Sequence, residues 1–406
     1  MHYIGGNYNS LLRNRYVISV AGAQLIRIFG RSQAWIFLPI FLHDYRGVQF
    51  FIIGFLFTLT ALISIPVSLY GGNLCDRLGR RKVSLIFMPV GIGIFAILFL
   101  AVYFSLSTII LYVVLILSEP IFSIQWIVDN AIISDTVPEA MRTDAFSITR
   151  IAGNLGFSIG PAVGGILSEF NISYVFLSTV VSGFIELFIY ARLRETNRHL
   201  SVGKQSFSFP AGDRKFIFLS LLLASIWFVA GQWGTTLTLF WTSIDHVSQA
   251  NIGFLYSVNG LFVVLLQLPT NRLFTGIKDH VRIFIGSMTY VISFFALALF
   301  SGIIFLVIDV FFLTFGENTI SPVTNTVISK ISPEDRRGEY FGAFYLISGF
   351  MVPMAPLMGT YLMQNFAYSP VIFWGIIAII GTLISLFMLR FGADLIESKA
   401  SEIRGG

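Results

Sequence analysis

A chain of 406 residues that is 55% hydrophobic and only 12% charged is built for lipid, since a soluble chain carries about a quarter of its residues as charges. A formal net charge of +5 would suit nucleic acid, but the cations gather in short segments between long apolar runs, which excludes that class. One cysteine, Cys75, permits no intramolecular disulfide, and the histidines (His2, His43, His199, His246 and His280) show no metal-ligand spacing.

The chain is polar through Arg15, and its first apolar run is too long for a cleaved signal peptide. In order, the apolar segments are Tyr16–Leu42, Gln49–Tyr70, Val83–Phe104, Thr108–Ile133, Ala145–Ser168 and Ser173–Tyr190. A second set follows at Phe216–Trp241, Ile252–Pro269, Ile283–Ser301, Ile303–Ile328, Tyr340–Met363 and Val371–Leu389. Each is long enough to span a bilayer core, or nearly so when tilted. Twelve spans put both termini on one side. The even-numbered loops hold Arg77 to Lys82, Arg142, a run from Arg192 through Arg194, Arg198, Lys204, Arg214 and Lys215, then Arg272, Lys278, Arg282, Lys330, Arg336 and Arg337. Among the odd-numbered loops only the first carries a cation, Arg46, so the termini are expected to be cytoplasmic in a multi-pass protein of the cell membrane.

The halves repeat. Ile133–Glu169 aligns without a gap on Ile328–Gln364 at an offset of 195, which pairs Pro138 with Pro333, Arg142 with Arg337, Pro161 with Pro356 and Gly164 with Gly359. The same offset lays Asp76-Arg77-Leu78 on Asn271-Arg272-Leu273. Duplicated six-helix halves are a transporter plan. The expected division is residues 1–190, a cytoplasmic linker 191–215, and residues 216–406.

Between the second and third spans, Gly72, Leu74, Asp76, Arg77, Gly79, Arg80 and Arg81 spell G-x-L-x-D-R-x-G-R-R. This resembles the loop 2–3 motif of the major facilitator superfamily. The resemblance implies an all-α membrane fold of two six-helix bundles around a central cavity. It also implies a gating latch carried by Asp76 and Arg77, with Gly72 and Gly79 letting helices approach and the loop turn. Asp76 is placed to cap the third span. Asp135, Pro138, Glu139 and Arg142 resemble the loop 4–5 pattern of the same superfamily; Pro138 ends the helix, and Arg142 is expected to pair with Asp135 or Glu139. In the fifth span Gly156, Gly160, Pro161, Gly164 and Gly165 form a small-residue face. That run matches the antiporter motif of drug:proton carriers in this superfamily, as does the Gly30–Leu42 run of span one. The arginine those carriers keep early in span four is absent, the neighbourhood here being Leu115 to Glu119.

Charges inside spans are costly and mark function. Arg27 and Arg31 share one face of span one. Counting about 1.5 Å per residue puts Glu119 of span four level with Arg31. Asp129 matches Arg150 in depth and is expected to pair with it, while Glu186, near the inner end of span six, is expected to reach water. Asp309 and Glu317 lie in span ten. An acid that alternates between an arginine and water can carry a proton, so Glu119 is the first coupling residue proposed, with Glu317 and Asp309 following. Trp35, Phe122, Trp126, Gln232 and Trp233 join Arg27, Arg31, Glu119 and Glu317 as a substrate-binding set, an apolar surface with few polar anchors. Glu119, Phe122 and Trp126 are read as one face of span four, and Gln232 and Trp233 as mid-helix.

No enzyme constellation, phosphate loop or metal-ligand group is legible, so no cofactor is expected. The leading reading is a monomeric, proton-coupled antiporter exporting small lipophilic molecules by alternating access. Two alternatives stay open: an importer or exchanger of an organic anion or metabolite using Arg27 and Arg31, and a non-transporting membrane receptor on the same scaffold.

Overall fold

Every regular element in the computed structural model is a helix, among the residues it describes, 10–196 and 209–405. His2, His199, Arg198, Lys204 and the middle of the expected linker lie outside the described residues. The order is α1 (Arg15–Ile40), α2 (Phe50–Leu78), α3 (Arg80–Tyr103), α4 (Thr108–Thr136), α5 (Arg142–Phe170), α6 (Ser173–Ala191) and α7 (Arg214–Ala230). Then come α8 (Thr235–Ser243), α9 (Gln249–Leu273), α10 (Asp279–Ala296), α11 (Ile303–Lys330), α12 (Arg337–Met351), α13 (Met354–Phe366) and α14 (Pro370–Gly405).

Local chemistry sets several of these ends. The Asn14 side chain accepts from the Tyr16 N–H at 2.9 Å and starts α1, and Asp213 accepts from Phe216 at 3.1 Å to start α7. The repeat is visible in the same chemistry: Pro138 and Pro333 each introduce a single 3-10 turn, Glu139–Met141 and Glu334–Arg336, from which α5 and α12 begin.

Eleven helical stretches among the described residues are long and apolar enough to cross a membrane. Two of them are interrupted: α7 and α8 are joined by the 3-10 turn Gly231–Trp233, and α12 and α13 meet at Val352–Pro353. The ninth expected span is α10, which falls short because its 18 residues begin with Asp279, His280 and Arg282.

Two compact units emerge. The first holds residues 1–47, 59–204 and 247–261, so it includes the opening turns of α9. Within it α1 packs on α5 and α6, and α3 packs on α4 and α6. Gly156, Gly160 and Gly164 make the α1–α5 contact intimate: a Cβ on Gly160 would stand 2.5 Å from the Phe29 carbonyl oxygen, and one on Gly164 would stand 2.8 Å from the Phe37 ring. Gly165 serves α9 instead, where its Cβ would lie 2.9 Å from the Ala250 Cα. The second unit holds residues 48–58, 205–246 and 262–406, in which α10 packs on α11 and α14 and α7 on α12 and α14.

Candidate functional site

In the first unit, α1 delivers Arg31 and α4 delivers Glu119, the residue before the helix-interior Pro120. The Arg31 Nη2 donates to Glu119 Oε1, and the two side chains stay 37% and 31% exposed. Phe122 lies under the guanidinium, 4.9 Å from ring centre to Cζ, and itself meets Phe95 edge-on at 5.6 Å. One turn along α1, Trp35 packs edge-on against Tyr256 at 6.2 Å. An ion pair this open is held by weak net forces, so either partner can be released to solvent or solute.

One turn the other way, Arg27 is enclosed. Its Nη2 donates to Asp129 Oδ2 and its Nη1 to Glu186 Oε1 at 2.7 Å, with all three side chains about 5% exposed. Asp129 Oδ1 also accepts from the Tyr190 hydroxyl and from Gln125 Nε2 at 3.4 Å. Two expectations are corrected here. Asp129 pairs with Arg27 and not with Arg150, because the rotation of α4 turns its carboxylate toward α1. Glu186 does not lie open at the inner end of the span; it is buried against the same arginine. Arg27 is therefore the centre of a closed polar cluster and is not presented as a free binding cation. Asp129, Glu186, Tyr190 and Gln125 were absent from the expected site. The signal that points to them is the four-residue spacing of Glu186 and Tyr190, which sets both on one face of α6.

Two cavities adjoin this cluster. One, of about 440 Å³, is lined by Asp129, Asn130, Trp126, Arg150 and Gln24 among others. The other, of about 50 Å³, is lined by Arg27, Glu186, Gln125, Phe87, Phe95 and Phe122 among others. Phe122 and Trp126 thus border different cavities.

In the second unit, Gln232 and Trp233 sit in the 3-10 turn between α7 and α8 and not in mid-helix. Gln232 is wholly buried and donates to the Ala355 carbonyl at 3.1 Å, across from the α12–α13 break, so it holds two interrupted spans together. Trp233 meets Trp241 edge-on at 6.0 Å. On α11, Glu317 is half-buried and its charge acts on the buried Tyr290. Asp309 is 3% exposed with one carboxylate oxygen lacking a hydrogen-bond partner, and Ser293 supplies its neighbouring hydrogen bond.

The motif between α2 and α3 is more helical than its polarity suggests. Helix α2 runs on to Leu78, α3 begins at Arg80, and Gly79 alone makes the turn with φ +91°. Arg80 is the organising cation: its Nη1 meets Asp76 at 2.9 Å and its Nε meets Asp135 at 3.0 Å. Arg77 is exposed, and Asp76 forms its ion pair with Arg80. The cap of α3 is Glu195, which accepts from the Arg80 and Arg81 amides at 2.8 and 3.1 Å; Asp76, inside α2, does not reach them. Arg81 donates to the Ala191 carbonyl at 3.0 Å. Gly72 makes no close approach, since a Cβ there would meet nothing within 4 Å, whereas at Gly79 it would lie 2.5 Å from the Glu195 carboxylate. Burial pushes the neighbouring Cys75 thiol up to about 11, so it is held as the unreactive form. Arg142 pairs with neither Asp135 nor Glu139; it donates to the Val137 and Ser134 carbonyls at 3.2 and 2.9 Å and closes the end of α4.

Residues 20–316 and 246–404 match the sequence profile described as the Major Facilitator Superfamily. The chain belongs to that superfamily. Among its relatives, the uncharacterised MFS-type transporter YttB of Bacillus subtilis is 25% identical over 92% of this chain and 93% of its own. A Na(+), Li(+), K(+)/H(+) antiporter of Planococcus maritimus is 26% identical over 80% and 86%. The quinolone resistance protein NorA of Staphylococcus aureus is 22% identical over 89% and 93%. The solved nucleoside transporter NupG superposes with a TM-score of 0.77 at 13% identity, covering 92% of this chain and 99% of that one, which speaks to fold alone. This major facilitator is therefore a multi-pass, all-α membrane transporter of small molecules and not an enzyme.

Proposed function

We propose that this transporter exports small lipophilic molecules in exchange for protons, by alternating access, as a monomer in the cell membrane with cytoplasmic termini. Its halves are residues 1–190 and 216–406, joined by 191–215. The observation that carries the reading is the Arg31–Glu119 ion pair, half-open and floored by Phe122. Glu119 can exchange its arginine for a proton, which releases Arg31, while the aromatic floor receives an apolar solute. Glu317 and Asp309 serve the second half in the same capacity, and Asp76 with Arg80 governs the gate. Support from relatives is that one is named for cation/proton antiport and one for quinolone resistance. The anion-import reading is weakened because Arg27 already faces two carboxylates, which leaves Arg31 alone to attract an anion.

The test is flux of a lipophilic fluorescent solute and of protons in proteoliposomes. Glu119→Gln is expected to lower solute-linked proton movement at least about tenfold, the scale of a lost proton carrier. Undiminished coupling in a correctly inserted Glu119→Gln protein removes Glu119 from the mechanism.

A further inference from the structure

A second proton site is built into the first unit, and it goes beyond the reading above because it does not involve Glu119. One guanidinium, Arg27, is flanked by two carboxylates, Asp129 and Glu186, and all three are about 5% exposed. With both acids ionised the cluster carries one uncompensated negative charge. Burying such a charge is costly, and taking up a proton removes it. The charged and titratable groups that face the cluster are few. Helix α1 gives Arg27, α4 gives Asp129, α6 gives Glu186 and Tyr190, and α5 gives Arg150 on the far wall of the larger cavity. Helix α3 contributes only apolar side chains, Phe87, Met88, Ile92 and Phe95.

The donors are unevenly divided. Asp129 receives three, from Arg27, Tyr190 and Gln125, whereas Glu186 receives one, from Arg27. Hydrogen bonds to the ionised form favour it, so Asp129 is the better anion and Glu186 the better place for a proton. An independent observation points to the same wall. Gln125 is 95% buried, lines the smaller cavity together with Glu186, and its Oε1 has no donor. A vacant acceptor beside a carboxylate is the setting in which a carboxylic acid O–H is the missing partner. The cluster also stands as a partition: Asp129 fronts the larger cavity and Glu186 the smaller, with Arg27 bridging them.

We propose that Arg27, Asp129 and Glu186 bind one exchangeable proton, carried by Glu186 and reached from the two cavities. Binding forms one O–H bond on Glu186 and breaks none other than that of the hydronium that donates it. Because the two acids share a single arginine, they titrate as a pair.

The experiment is infrared difference spectroscopy of the purified full-length protein between acid and alkaline buffer, reading the carbonyl stretch of a protonated carboxylic acid. Wild type is expected to show the band. Glu186→Gln is expected to lose the share of it that comes from one carboxylic acid, and Asp129→Asn as well, because one remaining acid then balances Arg27 and needs no proton. Glu119→Gln is expected to keep it. Other acids such as Asp245 add the same band to every variant, so spectra of Glu186→Gln and Asp129→Asn that both match wild type in full intensity overturn the site. Since Glu186→Gln removes a surplus charge, it is also expected to unfold no earlier than wild type, and earlier unfolding of both single amide variants equally overturns the charge count. Failure of the efflux reading is seen in the Glu119→Gln flux assay and leaves this spectrum unchanged.

Discussion

Arg80 shows how one side chain can replace a loop. Its guanidinium ties Asp76 in α2 to Asp135 in α4, while its own amide rests on Glu195 after α6. A lysine at this position keeps the charge but lacks the planar fork that reaches two carboxylates at once. Arg80→Lys is expected to lower stability by about 2 kcal/mol, the scale of charged hydrogen bonds. Arg77→Lys, one turn away and exposed, is expected to stay within about 0.5 kcal/mol. Thermal unfolding in detergent followed by intrinsic fluorescence separates the two. Another residue-scale expectation concerns Asp245, in the turn before α9. Burial pushes its carboxyl up to about 6, with His246 pulling the other way. The folded protein thus holds this proton more tightly than the unfolded chain does. The stabilisation is full at acid pH and is lost as pH rises through about 6. Asp245→Asn is expected to unfold with wild type near pH 4 and later than wild type near pH 8. The gain is at most about 1 kcal/mol, because solvent screens a half-exposed group.

At the scale of the element, close helix contacts are made by glycine at some positions and merely tolerate it at others. Gly156 faces the α1 backbone, where a Cβ would stand 3.1 Å from the Phe29 nitrogen, while at Gly72 it would stand in open space. Gly156→Val is expected to push α1 from α5 and cost about 3 kcal/mol, the upper range of overpacking. Gly72→Ala is expected to gain up to about 1 kcal/mol from helix propensity. Chemical denaturation of the two variants reads the contrast. The sequence shows both positions as glycines in motifs and cannot rank them, since the rank depends on which way each faces. The same limit explains the mispairing of Asp129. Counting residues matches its depth to Arg150, and the pairing with Arg27 depends on how α4 is rotated and tilted against α1, which counting does not give. The existence of the Arg31–Glu119 pair was legible because depth and helix face both admitted it. The interruption at Gly231–Trp233 was not, because hydropathy runs unbroken from Phe216 to Trp241. Only the fit of Gln232 against Ala355 reveals the break.

For the molecule as a whole, the duplicated plan was readable because the offset of 195 recurs at Pro138 and Pro333, where matching 3-10 turns start matching helices. The partition into units was less so. Residues 48–58 belong with the later chain and residues 247–261 with the earlier one, so the units cross the sequence halves. Composition gives no sign of this, since α2 and α9 read as ordinary apolar spans. A chain ending at Lys204 lacks the α9 turns against which Gly165 and Pro161 pack. Such a fragment, made alone, is expected to be degraded or to aggregate. Co-expression with residues 205–406 is expected to restore it, with the two pieces recovered together by an affinity tag on either one.

That exchange also bears on how the protein is made. A ribosome releases residues in order, so the nascent first unit stays unfinished until Leu261 has left the exit tunnel. Its glycine-lined groove, with the Ser158 hydroxyl and the Ala162 amide open where Ser257 will later accept from both, is the surface a membrane chaperone would find exposed during that interval.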